Sequence, residues 1–462
     1  METTNHVEQL YTKCLAQGAY FINSGGEVAV IDPLREFEPY LKLAEEKNAK
    51  IKYIFLTHFH ADFVSGHLDL AQKTGATIVL GPSAEAQYDF HSAKDGEVFN
   101  LGELTLTLLH TPGHTLESSC YLLKDKNGKV LSLFTGDTLF IDDVGRPDLA
   151  AKSAMSTEDL AGLLYDSLRE KIMPLPDELI IYPAHGAGSA CGKNMSSKTS
   201  DTLGNQKKEN YALDATMSKA DFIKEVTEGL PEPPLYFPKN VAMNKGVNAS
   251  LDSILAKGLR PLSLTDFEEM RTQDDVLVLD TRTPSAFAKA HIPGSMFIGL
   301  SGQFAPWVGE LIENIQQKII LVCEPKTEKE TVTRLARVGY DHTLGFLDGG
   351  FKTWEKAEKT TQSIPQIEAA EVVKKIKSSE KINLLDVRKI NEYNTNHVKQ
   401  AENKTLSEVH KNLETLDKNQ KYYVHCAGGY RSMIYNSIAQ ARGFDVVDVM
   451  GGYKALQNVT LK

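Results

Sequence analysis

The sequence has no C-x-x-C pair, and its cysteines are few. They are odd in number and widely spaced: Cys14, Cys120, Cys191, Cys323 and Cys426. A disulfide framework is typical of small secreted domains with paired cysteines, so this usage favours reduced thiols. We therefore expect a cytoplasmic protein.

Basic patches and long apolar runs are also lacking. The net charge is −10 and the lysine pairs are short and scattered, whereas nucleic acids and anionic membranes bind clustered positive charge. No segment is apolar over a length that spans a bilayer. The start METTNHVEQLYTKCLAQ lacks the basic residues and apolar run of a signal peptide. We therefore expect no nucleic-acid partner and no membrane association.

The length and composition are typical of a multidomain globular protein. The chain has 462 residues, too many for one ordinary core, with 41% hydrophobic and 24% charged residues. Up to about residue 235, β-rich runs alternate with helical segments. Several runs stop at a histidine or aspartate: IKYIFLTH, LTLTLLHTPGH, VLSLFTGD and ELIIYPAHG. The proline-dense GLPEPPLYFP that follows predicts a boundary, with a first domain over residues 1–240.

The rest of the chain is an internal repeat. VLVLDTR, which contains Asp280, recurs as INLLDVR, which contains Asp386. LDGGFKTW at Gly349 recurs as VMGGYKAL at Gly451, at a slightly shorter interval, so the second copy has lost a few residues. Because each copy alternates buried strands with helices, we predict two α/β domains with parallel sheets, over residues 250–360 and 361–462.

Residues that bind metals occur in order along the first domain. The motif THFHADF places His58, His60 and Asp62 on one short loop after a hydrophobic strand. Later segments add three more, each at the end of an apolar run: His114 in TPGHT, Asp137 in FTGDT and His185 in YPAHG. A single H-x-H-x-D motif occurs by chance on surface loops, but the ordered set predicts a metal site.

These motifs resemble those of the metallo-β-lactamase superfamily over about the first 240 residues, which implies an αββα sandwich. Two-metal members such as hydroxyacylglutathione hydrolases carry histidine directly after the loop aspartate, where this chain has Phe63. Since phenylalanine has no lone pair to donate, a second metal would lose a ligand. We therefore predict a mononuclear site on His58, His114 and Asp137.

The identity of the metal depends on a finer resemblance. Two histidines and a carboxylate suit non-haem Fe(II), and zinc accepts the same ligands. HADFVSGH and GDTLFIDDVGRPDL resemble persulfide dioxygenases fused to rhodanese domains. This resemblance implies one Fe(II) per chain, with zinc as the alternative. It also implies that three residues line the pocket without binding the metal: His60, Asp62 and His185.

The same resemblance implies the reaction and the partners. A low-molecular-weight persulfide and O2 would give sulfite and the carrier thiol, and rhodanese sulfur transfer would give thiosulfate, as in sulfide detoxification. Relatives of this kind indicate a homo-oligomer, either a dimer or a tetramer. No motif identifies the carrier thiol, whether glutathione, coenzyme A or another.

Two residues near the predicted pocket each allow two interpretations. Arg146 in VGRPDL either orients the anionic end of a substrate or is a structural ion-pair partner. Cys191 in AHGAGSACGKN is either an inert thiol or lies at the mouth of the pocket, where it contacts substrate and relays persulfide sulfur.

A sulfur-transfer loop is predicted near the C-terminus. In KYYVHCAGGYRS, Cys426 follows a β-rich strand and precedes a helical stretch. The glycines allow a tight backbone whose N–H groups point at one sulfur, which favours a nucleophilic thiolate. The loop resembles that of rhodaneses, in which Cys426 and Arg431 would be catalytic and four residues would bind the persulfide: Ala427, Gly428, Gly429 and Tyr430. Cysteine-dependent phosphatases have a longer loop that fits phosphate.

The first repeat departs from that pattern. Cys323 also ends a strand, but Glu-Pro-Lys-Thr-Glu follows it. Proline removes an N–H, Glu324 opposes a thiolate, and no glycine shapes a nest of N–H groups. We therefore expect Cys323 to be catalytically idle and this copy to be a scaffold or docking module.

Two other functions compete with a persulfide dioxygenase that has sulfurtransferase activity. One is a zinc-dependent thioester hydrolase, similar to hydroxyacylglutathione hydrolase, with rhodanese appendages; Phe63 argues against it. The other is a non-enzymatic sulfur carrier in which Cys426 stores persulfide; the complete ligand set argues against that one.

Overall fold

The computed structural model describes residues 6–150, 155–230, 232–378, 380 and 382–460. The chain divides into two compact units: the first runs to Leu251 and includes Ala336–Gly339, and the second contains Asp252–Leu335 and the chain from Tyr340 onward. Within the described residues, two six-stranded sheets belong to the first unit and two five-stranded sheets to the second.

The first unit is built on two mixed sheets. In both sheets neighbouring strands follow one another along the chain. The first sheet contains β1 (Val7–Thr12), β2 (Gln17–Ser24), β3 (Glu27–Ile31), β4 (Lys50–Phe55), β5 (Thr77–Leu80) and β6 (His91–Ser92). The second contains β7 (Val98–Leu101), β8 (Leu104–His110), β9 (Ser119–Lys124), β10 (Val130–Gly136), β11 (Ile180–Pro183) and β12 (Asp201–Thr202).

The two sheets pack face to face between helices. Phe55, Tyr121 and Phe134 are fully buried in the apolar layer that the sheets share. On its other face the second sheet packs on helices through Leu164 and Phe222. This αββα sandwich confirms the predicted fold. Its α-helices are α1 (Glu38–Glu46), α2 (His67–Thr74), α3 (Thr157–Ser167), α4 (Leu203–Glu209), α5 (Lys219–Thr227) and α6 (Phe237–Lys245), with a π-helix at Leu168–Ile172 and a 3-10 turn at Tyr211–Leu213.

The ends of four strands bring the predicted ligands to one region. β10 and β11 are parallel neighbours, so their carboxyl ends meet at the same edge of the sheet. Asp137 follows β10 directly, and His185 comes shortly after β11. His58 follows β4, and His114 comes shortly after β8.

The second unit contains two copies of one α/β fold. All strand pairs in its two sheets are parallel, and the orders β13-β17-β16-β14-β15 and β18-β22-β21-β19-β20 are equivalent, which confirms the predicted repeat. The first sheet contains β13 (Pro261–Leu262), β14 (Val276–Asp280), β15 (Met296–Phe297), β16 (Lys318–Val322) and β17 (Thr343–Leu347). The second contains β18 (Gln366–Ile367), β19 (Asn383–Asp386), β20 (Ala401–Asn403), β21 (Lys421–His425) and β22 (Asp445–Val449).

Helices cover the parallel sheets of both copies. Trp354 is buried in the core of the first copy, and Leu456 in the core of the second. The first copy has α8 (Leu264–Arg271), α9 (Pro284–Lys289), α10 (Phe304–Leu311), α11 (Glu328–Arg337) and α12 (Phe351–Lys356), preceded by α7 (Leu251–Gly258). The second has α13 (Ala369–Lys377), α14 (Ile390–Thr395), α15 (Val409–Glu414), α16 (Tyr430–Ala441) and α17 (Gly452–Thr460), with a 3-10 turn at Leu406–Glu408. In the part of the chain that is described, no helix has both the length and the apolarity needed to cross a bilayer.

Candidate functional site

Three buried side chains converge at the strand ends of the first unit. Nε2 of His58 lies 3.7 Å from Oδ2 of Asp137, and Nε2 of His114 lies 3.5 Å from the same oxygen. Ligand atoms of all three residues lie within 4.8 Å of one another. Oδ2 of Asp137 is buried and has no hydrogen-bond partner among the described residues. Since such an oxygen is costly to bury unless a cation binds it, the three residues fit one metal ion.

Hydrogen bonds orient both imidazoles towards that position. The Thr57 hydroxyl donates to Oδ2 of Asp32 at 2.7 Å, so Nδ1 of His58, 3.0 Å from the hydroxyl oxygen, is the donor in their contact. Nδ1 of His114 donates to the Arg146 carbonyl at 2.9 Å. Each Nδ1 therefore carries the proton, and each Nε2 presents a lone pair to the metal. Burial also lowers the pKa of His58 well below its ordinary value, which favours the neutral ligand form.

His185 holds the third ligand in place. Its Nδ1 lies 2.8 Å from Oδ1 of Asp137, and its Nε2 lies 2.9 Å from Oδ2 of Asp62. Burial opposes the charge of His185, but the two carboxylates raise its pKa well above the ordinary value. Burial likewise opposes the charge of Asp137, but His185 and His58 lower its pKa. His185 thus occupies one oxygen of Asp137 and leaves the other to a metal.

A second group of possible ligand atoms lies beside the first. His60, Asp62 and His185 also have ligand atoms within 4.8 Å of one another. The side chain that follows Asp62 in the loop is Phe63, which is fully buried, and its ring centroid lies 4.4 Å from that of His60. Nε2 of His60 lies 3.0 Å from Oδ1 of Asp32. The position after Asp62 thus holds a hydrocarbon ring that offers no ligand atom.

Arg146 and Cys191 lie near the site, in positions that the sequence left open. Nε and Nη2 of Arg146 donate to the two oxygens of Asp148 at 2.7 and 2.6 Å, which matches the ion-pair interpretation. Cys191 is 2% exposed, and its sulfur lies within 4.8 Å of ligand atoms of Asp137 and His185. Burial raises the pKa of its thiol well above the ordinary value. The thiol is therefore buried beside these two side chains. The Cys191 carbonyl also accepts a hydrogen bond from the backbone N–H of Arg146 at 3.0 Å.

Asn244, in α6, is a site residue that sequence reasoning missed. Its Nδ2 donates to the carbonyls of His60 and Phe63, both at 2.8 Å, and its Oδ1 accepts from the Ser65 N–H at 2.8 Å. It is 1% exposed and ties the ligand loop to a helix that continues beyond residue 240. A signal was present, because Pro238 is typical of the first turn of a helix.

The Cys426 loop leads directly into helix α16, and one of its N–H groups points at the sulfur. The Gly429 N–H donates to Sγ of Cys426 at 3.1 Å, and Gly429 has φ 109°, a left-handed conformation that favours glycine. Nη1 and Nη2 of Arg431 donate to the carboxylate of Glu392 at 2.5 and 2.8 Å. A Cβ on Gly452 would lie 2.4 Å from the Cys426 carbonyl oxygen, which explains the glycine pair of the repeat motif. The Ala427 carbonyl accepts from the Lys454 N–H at 3.2 Å, and Gly428 and Tyr430 border an adjacent cavity.

Cys323, in the first copy, has different surroundings. It is 3% exposed, and the Thr281 hydroxyl donates to its sulfur at 3.4 Å. Burial raises the pKa of its thiol to about 11. These contacts support the prediction that Cys323 is idle.

Comparisons with known proteins agree with this division. The metallo-beta-lactamase superfamily matches residues 13–185, and the rhodanese-like domain matches residues 263–357 and 368–458. The crystal structure of a metallo-beta-lactamase from Staphylococcus aureus is similar, with a TM-score of 0.65 and 30% identity, covering 74% of this chain and 97% of that one.

Curated relatives include two kinds of enzyme. The mitochondrial persulfide dioxygenase ETHE1 of Bos taurus is 31% identical, over 45% of this chain and 74% of its own length. The probable hydroxyacylglutathione hydrolase of Schizosaccharomyces pombe is 33% identical, over 34% of this chain and 58% of its own length, so the chain spans little more than half of that relative. This chain therefore belongs to the metallo-β-lactamase superfamily, is similar to persulfide dioxygenases within it, and carries two rhodanese-like domains.

Proposed function

We propose that this chain oxidises a low-molecular-weight persulfide to sulfite with O2 at one Fe(II) ion, and transfers sulfane sulfur at Cys426 to give thiosulfate. The observation that supports it most is the convergence of His58, His114 and the unpartnered oxygen of Asp137, with the apolar Phe63 packed on the neighbouring His60. The name of the bovine relative describes the same oxidation. Bound Fe(II) would supply a redox-active centre with positions open to sulfur and oxygen.

The residues of the chain prepare the site in three ways. His58 and His114 present neutral Nε2 atoms, because each Nδ1 proton is already donated. His185 lies between Asp137 and Asp62, in contact with both carboxylates, and keeps them in place. All of these side chains are at most 5% exposed, so bulk water is kept away from a reactive sulfur species. In net terms, persulfide, O2 and water give the carrier thiol, sulfite and two protons.

Sulfur transfer would use the Cys426 thiolate as a nucleophile. The thiolate attacks the outer sulfur of the carrier persulfide, the S–S bond of the carrier breaks, and the carrier leaves with the electron pair as a thiolate. Sulfite then attacks the outer sulfur of the Cys426 persulfide, which forms thiosulfate and returns the electron pair to Cys426. The Gly429 N–H stabilises negative charge on the sulfur at both stages.

Metal analysis combined with oxygen uptake tests this proposal. The full chain is loaded anaerobically with Fe(II) or Zn(II) and then given O2 with persulfides of glutathione, coenzyme A and cysteine. With iron, we expect about one ion per chain, oxygen uptake and formation of sulfite. With zinc, we expect neither oxygen uptake nor sulfite. Cys426→Ser should lose thiosulfate and keep sulfite, which would place Cys426 after the iron step. The proposal would be overturned if the protein as isolated contains zinc and takes up no oxygen, and if it still takes up no oxygen after it is loaded with iron.

Phe63→His tests the mononuclear site separately. An imidazole at this position would complete a set with His60, Asp62 and His185, so we expect metal content to rise from about one to about two ions per chain. Phe63→Leu is the matched control, because leucine is apolar and should leave the content unchanged. A wild-type protein that already binds two ions would contradict the single-metal proposal.

A zinc-dependent thioester hydrolase is the second candidate. The hydrolase relative and the second group of ligand atoms favour it. Hydrolysis of a glutathione thioester by the zinc form, faster than any persulfide oxidation by the iron form, would decide for it.

The cytoplasmic location, the homo-oligomer and the domain bounds 1–240, 250–360 and 361–462 stay predictions.

A further inference from the structure

A cavity of about 400 Å³ lies beside the Cys426 loop. Gly428, Gly429 and Tyr430 of the loop form one side of it, and Ser301 and Gly302 of the first copy form another. The volume lies in the range of small-molecule sites and is larger than a sulfur atom or a sulfite ion needs. The cavity is therefore large enough for the organic part of a sulfur carrier.

The first copy is shaped to fit this loop. The Tyr430 hydroxyl donates to the Gly299 carbonyl at 2.7 Å. A Cβ on Gly302 would lie only 2.3 Å from Cζ of the Tyr430 ring, so a side chain there would displace the ring. The first copy thus builds one wall of the cavity beside the Cys426 loop.

Asp448 is the one charged side chain among the described residues that line the cavity. It lies in β22 and is 3% exposed. Its Oδ1 accepts from the Ser432 hydroxyl at 2.8 Å, and its Oδ2 accepts from Nε2 of Gln366 at 3.1 Å. These neutral donors leave the charge without a cationic partner within the described chain, and burial raises the pKa of this carboxyl. A positive group in the cavity would supply that partner.

Two arginines near the cavity already have acidic partners. Arg431 is bound to Glu392, as described above. Arg334 of the first copy, which donates to the Leu300 carbonyl, pairs with Glu330 at 2.6 Å. The cavity itself therefore favours a cation over an anion.

We propose that this cavity binds the organic part of the sulfur carrier and that Asp448 recognises a primary ammonium group on it. The proposal rests on the proposed function, because Cys426 must exchange sulfur with that carrier. It predicts that carriers with a cationic body react at Cys426 faster than anionic carriers of the same length.

Methanethiosulfonate reagents test the charge preference without any sulfur transfer. The aminoethyl and sulfonatoethyl reagents have similar lengths and opposite charges, and each forms a disulfide with the Cys426 thiolate and releases methanesulfinate. Peptide mapping by mass spectrometry gives the two rates at Cys426. In the wild type, we expect the rate with the cationic reagent divided by the rate with the anionic reagent to be about ten times larger than the same ratio for a free thiol. This tenfold preference is the effect of one charge-assisted hydrogen bond. In Asp448→Asn the rate ratio should fall to that of the free thiol.

Asp445→Asn is the matched control. Asp445 lies in the same strand, is exposed and pairs with Lys421 at 3.3 Å, so its substitution removes the same charge without reaching the cavity. Its rate ratio should equal that of the wild type. If the wild-type rate ratio equals that of the free thiol, the proposal is overturned, whether or not Asp448→Asn folds. The proposal is also overturned if the rate ratio falls equally in Asp448→Asn and Asp445→Asn.

Persulfide substrates separate this proposal from the proposed function. The persulfides of cysteamine and 3-mercaptopropionate differ in the charge of the body, and transfer of labelled sulfur to Cys426 is followed by mass spectrometry. Faster transfer from cysteamine persulfide supports both proposals. Equal transfer from the two overturns the role of Asp448 and keeps sulfur transfer. No transfer from either, with the reagent preference intact, overturns sulfur transfer and keeps the cation site.

Discussion

The two rhodanese-like copies share a fold and differ in the loop that follows their cysteine. Cys323 and Cys426 both come directly after the central strands β16 and β21. Only the sulfur of Cys426 accepts a hydrogen bond from a glycine N–H, whereas Cys323 lies against the Thr281 hydroxyl. The two sheets are equivalent although their loops differ, because each sheet is held by its own core and not by the loop.

A second difference concerns the loop arginine and its partner. Arg431 is bound to Glu392, which stands where the first copy has Ala286 in VLVLDTRTPSA. The loop after Cys323 lacks the glycines, and the first copy has no acidic side chain at the position of Glu392. The copies thus agree where residues build the fold and disagree in the loop after the cysteine.

Replacing each cysteine in turn gives the largest effect. Cys426→Ser should lower sulfur transfer to a thiol or sulfite acceptor by at least about a thousandfold, because the nucleophile is removed. Cys323→Ala should keep the rate within about twofold. Loss of sulfurtransferase activity in Cys323→Ala, with Cys426 intact and the protein folded, would contradict the assignment of roles.

The buried aspartates test what the copies share. Arg282 is bound to Asp280 at 2.7 Å, and Arg388 to Asp386 at 2.6 Å. Asp280→Asn and Asp386→Asn should each lower the free energy of unfolding by roughly 3–5 kcal/mol, because a buried arginine loses its counter-charge. Urea denaturation measures this, with the exposed Asp275→Asn as a control that should change little. Destabilisation by one of the two buried substitutions alone would break the equivalence of the copies.

The pH dependence of Cys323 alkylation tests its burial. Burial raises the pKa of this thiol to about 11, so the neutral form persists until the pH approaches that value. Its alkylation rate by iodoacetamide should rise about tenfold per pH unit between about pH 8 and 10, whereas an ordinary thiol levels off near pH 9. Peptide mapping measures the rate, with a cysteine peptide as control. A plateau near pH 9 would show that Cys323 is not shielded.

The Glu392–Arg431 pair should give the smallest effect. Glu392→Gln removes the carboxylate that holds the guanidinium, so we expect kcat/KM for sulfur transfer to fall about tenfold, mainly through KM. Ala286→Glu in the first copy is the matched control and should leave the rate unchanged. An unchanged KM with a reduced thermal stability would assign the pair to folding alone.

Much of the fold and part of the site could be predicted from local patterns. Strand runs that end in histidine or aspartate predicted where the ligands lie, because the carboxyl ends of neighbouring strands lie close in space. The repeated LD and GG motifs predicted two equivalent α/β copies, since each motif makes contacts that the fold of one copy requires. Asn244 could not be found in this way, because its three hydrogen bonds reach a loop far away in sequence.

The sequence by itself determined the ordered histidines and aspartate of the candidate metal site, the apolar Phe63 and the glycine loop after Cys426, because these depend on residue type and short spacing. Only the tertiary structure decided the depth of Cys191, the partner of Arg146 and the cavity that the two copies share. Burial and hydrogen-bond partners depend on which distant segments pack together, and no local pattern records that.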